Sequence, residues 1–386
     1  MELTGRIRAI FAGLAMALAI GLASPASAQS YTFTKVADST EDNFDPFSFG
    51  CATINAGGDI AFKAGRVAPD GFNTIPGIYR ANADGSLTTI AEDPKRFVTI
   101  GFNPSMNDAG QVSFAARIDG GSKPDTESIL VGGRKKKLIT IASTEDEFNF
   151  FGFDTSISNS GEVAFKAELD EELGFDEGLF SGFGREVTTH YLTSTSNFDG
   201  SDSRPSINNL GDIGFDESID FDSGIFAGRE GVFTTIAAPD PDVFVRRPVL
   251  NDSGTAAFYR SFFDEVAQQS VEEIATGNGG PLLTVVDTRG DFAFFGFRPP
   301  SLNNGGDVAF HATLDDGSSG IFVGPDPVAD RVIATGDILD GAPVQNLTFC
   351  EEGLSDRGDL AFVAQFADPT SQTGVRIAVY RATLAA

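Results

Sequence analysis

Residues 302–324 read Leu-Asn-Asn-Gly-Gly-Asp-Val-Ala-Phe-His-Ala-Thr-Leu-Asp-Asp-Gly-Ser-Ser-Gly-Ile-Phe-Val-Gly. They contain an N-x-x-G-x-x-A-F motif, formed by Asn303, Gly306, Ala309 and Phe310, and a Gly-Ile-Phe strand start follows at Gly320. The same frame occurs seven times, with its phenylalanine at Phe62, Phe114, Phe165, Phe215, Phe258, Phe310 and Phe362. Because a repeat near 50 residues is the length of a four-stranded propeller blade, the spacing predicts a propeller of seven blades.

Each repeat is predicted to form four antiparallel strands, named a to d. The Asn at the end of strand a can bond the backbone ahead of it, and the Gly supplies a positive φ, so N-x-x-G is typical of a hairpin turn. In strand b, as in Gln111–Ala116, large Phe and small Ala point to opposite faces. Both faces are apolar, which favours a blade buried between two neighbours.

The two ends of the chain predict ring closure. The seventh repeat stops after strand c at Val379–Ala382 and has no strand d of its own. Phe33–Ala37, near the N-terminus, matches strand d of the first repeat, Leu87–Ala91. We therefore expect the N-terminal strand to complete the last blade. A stack of β-sandwich or β-solenoid units with the same period is the alternative.

The seven repeats resemble the bacterial exported tandem-repeat proteins named for the N-x-x-G-x-x-A-F motif, often called choice-of-anchor proteins. The resemblance covers Tyr31 to Ala386. It implies a β-propeller-like fold and a secreted or surface protein, and it implies no catalytic residues. The family's C-terminal sorting segment has no counterpart in the final residues Arg381–Ala386, so we do not carry its surface anchoring over.

The first 28 residues have the pattern of an export signal. Arg6 and Arg8 precede an apolar run from Ile10 to Leu22, and Ala26-Ser27-Ala28 is a small-x-small cleavage site. We therefore expect a signal peptide at 1–28, a single propeller domain at 29–386, and a periplasmic or extracellular location. No later stretch has the length to span a bilayer, so we expect no membrane insertion after cleavage.

Composition restricts the partners. The chain has 55 acidic and 27 basic residues, a formal net charge of −28. Such a charge opposes binding to nucleic acid or anionic lipid. We expect a monomer whose ligand is an extracellular protein or glycan.

Few residues suggest catalytic or metal chemistry. The two histidines, His190 and His311, have no second histidine or cysteine at ligand spacing, so we predict ordinary strand residues and neither a zinc site nor a Ser-His-Asp triad. Acidic clusters such as Asp315-Asp316 leave calcium as a candidate cofactor, but no EF-hand-like loop accompanies them. We predict no catalytic and no metal-binding residue.

The channel mouth opposite the hairpins is the predicted ligand site. Variable loops on a rigid scaffold commonly carry binding, and these loops meet on that face. Counting back from each repeat Asn or Ser along strand a predicts the residues that enter the mouth: Cys51, Asn103, Asp154, Arg204, Arg247, Arg298 and Glu351.

Arginines occupy three consecutive blades of this ring, and guanidinium groups suit carboxylates and sulfates. The predicted site therefore contains Arg204, Arg247, Arg298, Asp154, Glu351 and Asn103. Phe102, Phe153 and Phe297 are predicted to form an apolar wall. The alternative is that the arginines only neutralise neighbouring acidic loops such as 199–202 and 240–242.

The only two cysteines, Cys51 and Cys350, fall near the same end of strand a in repeats one and seven. These repeats are neighbours only in a closed ring, where a disulfide is compatible with export. Two separate buried thiols are the alternative, because Cα atoms more than about 7 Å apart cannot be bridged.

Two functions follow from different classes. The first is a non-catalytic binding or scaffold propeller with its ligand on the variable-loop face. The second is a hydrolase or lyase acting on a polysaccharide through acidic loop residues at the channel mouth. Fold alone does not choose between them.

Overall fold

The computed structural model describes residues 29–71, 73–133, 137–170, 176–200, 204–296 and 298–385. The predicted signal peptide lies outside this range. The described residues form seven antiparallel sheets and one small hairpin, with short 3-10 helices at Pro46–Ser48 and Thr193–Thr195. Within the same residues, no helix has the length and apolar character needed to cross a membrane.

The first four complete blades follow one another along the chain. Blade 1 contains β2 (Ala52–Ile54), β3 (Ile60–Val67), β4 (Thr74–Ala81) and β5 (Leu87–Glu92). Blade 2 contains β6 (Phe97–Ile100), β7 (Ser105–Met106), β8 (Val112–Ile118), β9 (Thr126–Gly132) and β10 (Ile139–Ser143). Blade 3 contains β11 (Phe148–Ile157), β12 (Val163–Leu169), β13 (Glu177–Phe183) and β14 (Glu186–Leu192). Blade 4 contains β15 (Ser206–Ile207), β16 (Ile213–Ile219), β17 (Asp222–Arg229) and β18 (Val232–Ala237).

The remaining blades complete the ring. Blade 5 contains β19 (Val243–Leu250), β20 (Ala256–Asp264), β21 (Gln269–Gly277) and β22 (Leu283–Asp287). Blade 6 contains β23 (Phe292–Phe294), β24 (Ser301–Leu302), β25 (Val308–Leu314), β26 (Ser319–Val323) and β27 (Arg331–Ala334). A hairpin of β28 (Ile338–Leu339) and β29 (Ala342–Pro343) leads to blade 7. Blade 7 contains β30 (Asn346–Thr348), β31 (Leu360–Ala367), β32 (Val375–Leu384) and β1 (Tyr31–Asp38).

Pairing of the chain ends confirms the predicted closure. Strand β1 runs antiparallel to β32, from Tyr31 opposite Leu384 to Asp38 opposite Ala378. Without β1, the outer edge of β32 would present unpaired backbone groups. The seven-bladed all-β prediction is therefore confirmed, and the solenoid alternative is wrong.

The repeat motif closes each a-to-b hairpin in the predicted way. In the fifth copy, Asn251 Oδ1 accepts hydrogen bonds from the Ser253 and Thr255 amides at 3.1 and 3.0 Å. The motif glycine, Gly254, has φ 77°, a left-handed conformation that glycine adopts without steric cost. The Asn and Gly thus fix the turn together.

Blades pack through the large and small residues of strand b. Phe258 is fully buried in one face of its blade, where it packs with Ala227 and Ile236 of blade 4. Ala257, on the other face, packs with Phe310 and other residues of blade 6. Alternating bulky and small side chains fill the space between sheets at the density of a protein interior.

Strand a departs from the regular pattern in blades 2 and 6, where it divides into two segments. Pro104 precedes β7, and Pro299 and Pro300 precede β24. Because proline lacks the amide hydrogen needed for the ladder, pairing is interrupted before these short strands.

Candidate functional site

The two faces of the disc differ in how their polar groups are paired. We call the face with the a-to-b hairpins the hairpin face, and the opposite one, with the b-to-c loops and d-to-a connections, the loop face. On the hairpin face, a belt of Asp and Asn side chains follows the repeat Asn. Each accepts a hydrogen bond from the matching amide of the preceding blade, at 2.8–2.9 Å: Asp108, Asn159, Asn209, Asp252, Asn304 and Asp356.

The repeat asparagines themselves also join neighbouring blades. Asn251 Nδ2 donates to the Asn303 carbonyl at 3.2 Å, and Asn303 Nδ2 donates to the Ser355 carbonyl at 3.3 Å. Asn55, Asn107 and Asn208 make the same bond to the next blade. The hairpin face therefore uses its polar side chains to hold the ring together.

The junction between blades 7 and 1 is closed differently. Ser355 stands in place of the repeat Asn, and Ala56 occupies the belt position, so neither side-chain bond forms there. The structure instead joins Cys51 to Cys350 by a disulfide, with the Cα atoms 5.9 Å apart. Arg381 also donates to the Gly58 carbonyl at 3.1 Å across this junction. The disulfide thus joins the one pair of neighbouring blades, within the described chain, that lacks both the asparagine bond and the belt bond.

A network of ionised side chains lies in the channel near the loop face. Arg204, only 6% exposed, contacts Glu351 at 3.2 Å and Glu352 at 2.9 Å. Asn103 Nδ2 donates to Asp154 Oδ1 at 2.7 Å. Four of the six predicted ligand-binding residues thus meet here, but Arg204 is already paired with the protein's own carboxylates. Glu351 and Glu352 differ from Asp199, Asp240 and Asp242, the described loop aspartates named in the neutralising alternative.

Glu352 bridges several blades inside the channel. Its carboxylate accepts hydrogen bonds from Thr53 of blade 1 at 3.2 Å, Ser105 of blade 2 at 2.9 Å and Ser156 of blade 3 at 3.2 Å. The Arg204 guanidinium adds a fourth contact from blade 4. Glu352 therefore acts as a structural link in the channel.

Burial dominates the protonation of this network. It raises the pKa of Asp154 and of Glu352, and the nearby positive charge of Arg204 only partly opposes the effect. Burial also disfavours the charge on Arg204, but Glu352, Glu351 and Asp154 together raise its pKa above the ordinary value. Arg204 therefore stays charged.

Three other arginines lie around the mouth in a different environment. Arg246, Arg247 and Arg298 make no salt bridge with any described carboxylate within 4.0 Å, whereas Arg204 makes two. Burial, and then the charge of Arg247, lower the pKa of both Arg246 and Arg298. These arginines therefore form a positive cluster in a strongly acidic protein.

The local backbone brings two of these arginines to the mouth together. Arg247 has φ 57° and donates its amide to Asp216 Oδ1 at 3.0 Å, and the register of β19 shifts between Arg246 and Val249. A non-glycine residue in this region is uncommon and costs free energy. Both arginines line a cleft of about 290 Å³, together with Asp154, Arg204 and Glu351.

Exposed phenylalanines directly precede Asn103 and Asp154 in the sequence. Phe102 and Phe153 are 59% and 49% exposed, and the Lys63 ammonium lies 4.5 Å from the centre of the Phe102 ring. Phe297, the third predicted wall residue, lies outside the described residues. Blades 2 and 3 therefore offer apolar surface next to Asn103 and Asp154.

A buried ionic cluster borders the cleft. Glu217, 1% exposed, accepts hydrogen bonds through Oε1 from the Lys166 ammonium and the Tyr191 hydroxyl of blade 3. Its other oxygen, Oε2, is buried without a hydrogen-bond partner among the described residues. Burial, then the charge of Glu217, raise the pKa of Tyr191 far above the ordinary value. Tyr191 therefore stays protonated and acts as a donor.

Both histidines lie in strands, as predicted: His190 in β14 and His311 in β25. His190 Nε2 lies 2.9 Å from Ser181 Oγ, and its Nδ1 accepts from the Glu230 amide at 3.0 Å. Burial lowers the pKa of His190 to about 4, and burial with the Arg298 charge does the same for His311. Among the same residues, no group of three His, Cys, Asp or Glu side chains is arranged to hold a metal ion.

The sequence-based prediction of the ligand site did not include Glu352, Arg246 or Glu217. Glu352 and Arg246 each lie one position away from the residues that counting along strand a selected. Glu217 carried a signal, because its position, two after the motif Phe, holds alanine in five other copies: Ala64, Ala116, Ala167, Ala312 and Ala364. A charged residue there breaks the repeat on a face that otherwise packs against a neighbouring blade.

The sequence of the chain matches one protein family. Residues 104–382 match the model of DUF7453, a family of unknown function. The chain belongs to this family. Membership of the choice-of-anchor repeat family stays a prediction. No protein with a curated description matches this DUF7453 chain.

Solved structures support the same architecture. The β-propeller domain of the Trilobed protease from Pyrococcus furiosus, described as having an open velcro topology, has a TM-score of 0.53 and 10% identity over 87% of this chain and 94% of that one. The acylaminoacyl peptidase of Pyrococcus horikoshii has a TM-score of 0.50 and 12% identity over 83% of this chain and 49% of that one. The DUF7453 chain thus spans about half the length of that peptidase. At these identities the likeness shows the fold alone.

Proposed function

We propose that this protein is an exported, non-catalytic binding propeller that holds a carboxylate-bearing ligand at the loop-face mouth of its channel. The observation that carries the proposal is the cluster of Arg246, Arg247 and Arg298, which lack salt-bridge partners among the described carboxylates. In a chain of net charge −28, arginines near acidic surface would be expected to pair with it. An anionic ligand would supply the missing partners.

The environment of these arginines strengthens the argument. Each guanidinium is partly buried, and burial, followed by repulsion from Arg247, lowers the pKa of Arg246 and Arg298. A bound carboxylate would relieve this repulsion, and its attraction would be larger here than in open water because the surroundings screen charge less. Exposed Phe102 and Phe153 would contact the apolar parts of the same ligand.

Binding is favoured over catalysis because the acids near the mouth are engaged elsewhere. Glu351 and Glu352 pair with Arg204, and Asp154 accepts from Asn103. A glycosidase needs two carboxyl groups that face one substrate bond. The alternative, a polysaccharide hydrolase or lyase, predicts that an anionic polymer is shortened when incubated with the protein, and we expect its length to stay constant.

The test is binding of polygalacturonate, a polymer of carboxylate sugars, to the mature protein. Replacing Arg246, Arg247 and Arg298 together with glutamine should weaken binding by about tenfold or more. Affinity of the unaltered protein should fall as salt is raised, since salt screens exposed charges. Arg204 is left unchanged because it neutralises Glu351 and Glu352.

A matched control replaces three exposed arginines that already have carboxylate partners. Arg117, Arg289 and Arg331 lie 3.0, 2.6 and 3.4 Å from Asp125, Asp287 and Asp337. This control carries the same change in net charge and should bind like the unaltered protein. Equal loss in both triple variants would show a non-specific charge effect and overturn the proposal. So would an unaltered protein that binds none of polygalacturonate, dextran sulfate and polyglutamate.

A further inference from the structure

The cleft beside Arg246 and Arg247 continues outward between blades 4 and 5. A second depression of about 360 Å³ shares Ser218, Ser223 and Phe244 with the cleft at the mouth. The two form one groove, which we call the radial groove. Its inner end is lined by Arg246 and Arg247. Its outer end is lined by Phe221 and Phe262 together with Asp222, Asp240 and Asp242. The radial groove therefore suits an extended ligand and not only a small ion.

We propose that the radial groove binds a linear oligosaccharide that contains uronic acid, with a sugar carboxylate at its inner end and sugar hydroxyls along its acidic outer end. This inference rests on the proposed function and names the ligand class of the same site. A uronic acid carries a carboxylate, several hydroxyls and an apolar ring face. Each of these has a counterpart along the groove.

The apolar counterpart is aromatic. Phe244 is 44% exposed at the point where the two depressions meet, and the Arg246 guanidinium lies 5.7 Å from the centre of its ring. Phe221, farther out, is 92% exposed. Large apolar side chains left exposed beside a concave, charged surface are typical of binding sites. A sugar ring packed on Phe244 would place its carboxylate next to Arg246.

The hydroxyl counterparts are polar groups of blade 4. Ser223 Oγ accepts from the Val245 amide at 2.9 Å, which leaves its hydrogen available to donate. Asp222, also of blade 4, lines the outer end, and its carboxylate can accept hydrogen bonds from sugar hydroxyls. An acidic peptide offers carboxylates but not this set of hydroxyls.

Three probes of equal length separate the ligand classes. Tetragalacturonate carries both carboxylates and hydroxyls, tetra-aspartate carries carboxylates alone, and maltotetraose carries hydroxyls alone. We expect tetragalacturonate to bind the mature protein about tenfold or more tighter than either of the others. Calorimetric titration at fixed salt measures all three affinities.

Two variants link that preference to the groove. Phe244→Ala should weaken tetragalacturonate by about tenfold and tetra-aspartate by less than about threefold. Phe183→Ala removes a ring that is 63% exposed outside the groove and should change neither affinity. Melting temperatures show whether each variant is folded.

The outcomes separate this inference from the proposed function. Equal affinity for tetra-aspartate and tetragalacturonate, or no effect of Phe244→Ala on either, would overturn the uronate inference and leave carboxylate binding intact. Failure of both anionic probes to bind the unaltered protein would overturn the proposed function itself. Binding of maltotetraose as tight as tetragalacturonate would also overturn it, since the arginines would then play no part.

Discussion

The hairpin face and the loop face are built on the same strands, but their polar side chains differ in whether they are paired within the protein. On the hairpin face, the repeat asparagines and the Asp/Asn belt bond to the next blade around most of the ring. On the loop face, Arg246, Arg247 and Arg298 lack carboxylate partners within the described chain. The comparison indicates that the repeated residues stabilise the ring and that the unrepeated ones are available to bind.

The junction of blades 7 and 1 refines this comparison. Its hairpin side lacks the asparagine and belt bonds, because Ser355 and Ala56 replace the usual residues. On its loop side, Cys51 and Cys350 supply a covalent link across 299 residues of chain. A covalent bond thus joins blades 7 and 1 at the junction where the repeated side-chain hydrogen bonds are missing.

The largest expected effect is the loss of that link. Replacing Cys51 and Cys350 with alanine should lower the free energy of unfolding by about 4 to 5 kcal/mol, because the disulfide restricts a very long loop in the unfolded chain. Denaturant titration of the oxidised protein and the variant measures this. Reductant should not change the variant further. Thiol counting on unfolded, unreduced protein should find none, and two free thiols would contradict the pairing.

The hairpin face is tested by Asn251→Ala. Asn251 is 5% exposed, donates to the Asn303 carbonyl, and accepts from the Ser253 and Thr255 amides. Alanine leaves these groups unpaired and should lower the free energy of unfolding by about 2 to 3 kcal/mol. The arginine triple variant should change it by less than about 0.5 kcal/mol.

Those two stabilities are compared by urea titration, and anion affinity is measured on the same samples. The hairpin variant should lose stability and keep its affinity for polygalacturonate, and the arginine variant should do the reverse. An arginine variant as unstable as Asn251→Ala would mean that the loop-face arginines are structural, and the contrast between the faces would fail.

A smaller effect tests the charges inside the channel. Burial raises the pKa of Asp154 above its ordinary value of 3.8. Between 3.8 and the raised value, the folded protein keeps a proton that the unfolded chain has lost, so the contribution of Asp154 to stability falls as the pH rises through this window. Asp154→Asn cannot titrate but still accepts from Asn103.

The free energy of unfolding of Asp154→Asn, minus that of the unaltered protein, should therefore increase from about pH 4 upward. The rise should level off once the pH exceeds the raised pKa of Asp154, because the carboxyl group is then ionised in both the folded and the unfolded state. Taking the difference removes the other carboxylates from the comparison. A difference that stays flat or decreases would show that Asp154 is not held in a desolvated site.

The fold was predictable because the same physical requirements recur seven times. Asn251 and Gly254 form a local turn that the spacing of the motif predicts. Ring closure was predictable because the last repeat ends at strand c, near Val379, and the N-terminal segment at Phe33 matches a strand d. The cleft was only partly predictable. Counting along strand a selected Arg204 and Arg247 but could not reveal that Glu352 contacts Arg204 from a turn 148 residues away in the sequence.

Irregular backbone and single-copy residues account for the rest. Arg246 reaches the cleft beside Arg247 in a stretch of β19 where the register shifts, and counting one residue per blade cannot detect this. Glu217 replaces a repeated alanine, a break visible in the sequence, but its partners Lys166 and Tyr191 come from the neighbouring blade. A binding site formed by residues that depart from the repeat can be located only from the three-dimensional structure.

The most direct test of the contrast between the faces is amide hydrogen exchange with and without tetragalacturonate. The account predicts slower exchange in the loop-face segments 216–223 and 243–247 when the ligand is added, because these backbones border the radial groove. Exchange in the hairpins at 107–111, 208–212 and 303–307 should stay unchanged. Protection confined to those hairpins, with none around Arg246 and Arg247, would contradict the assignment of binding to the loop face.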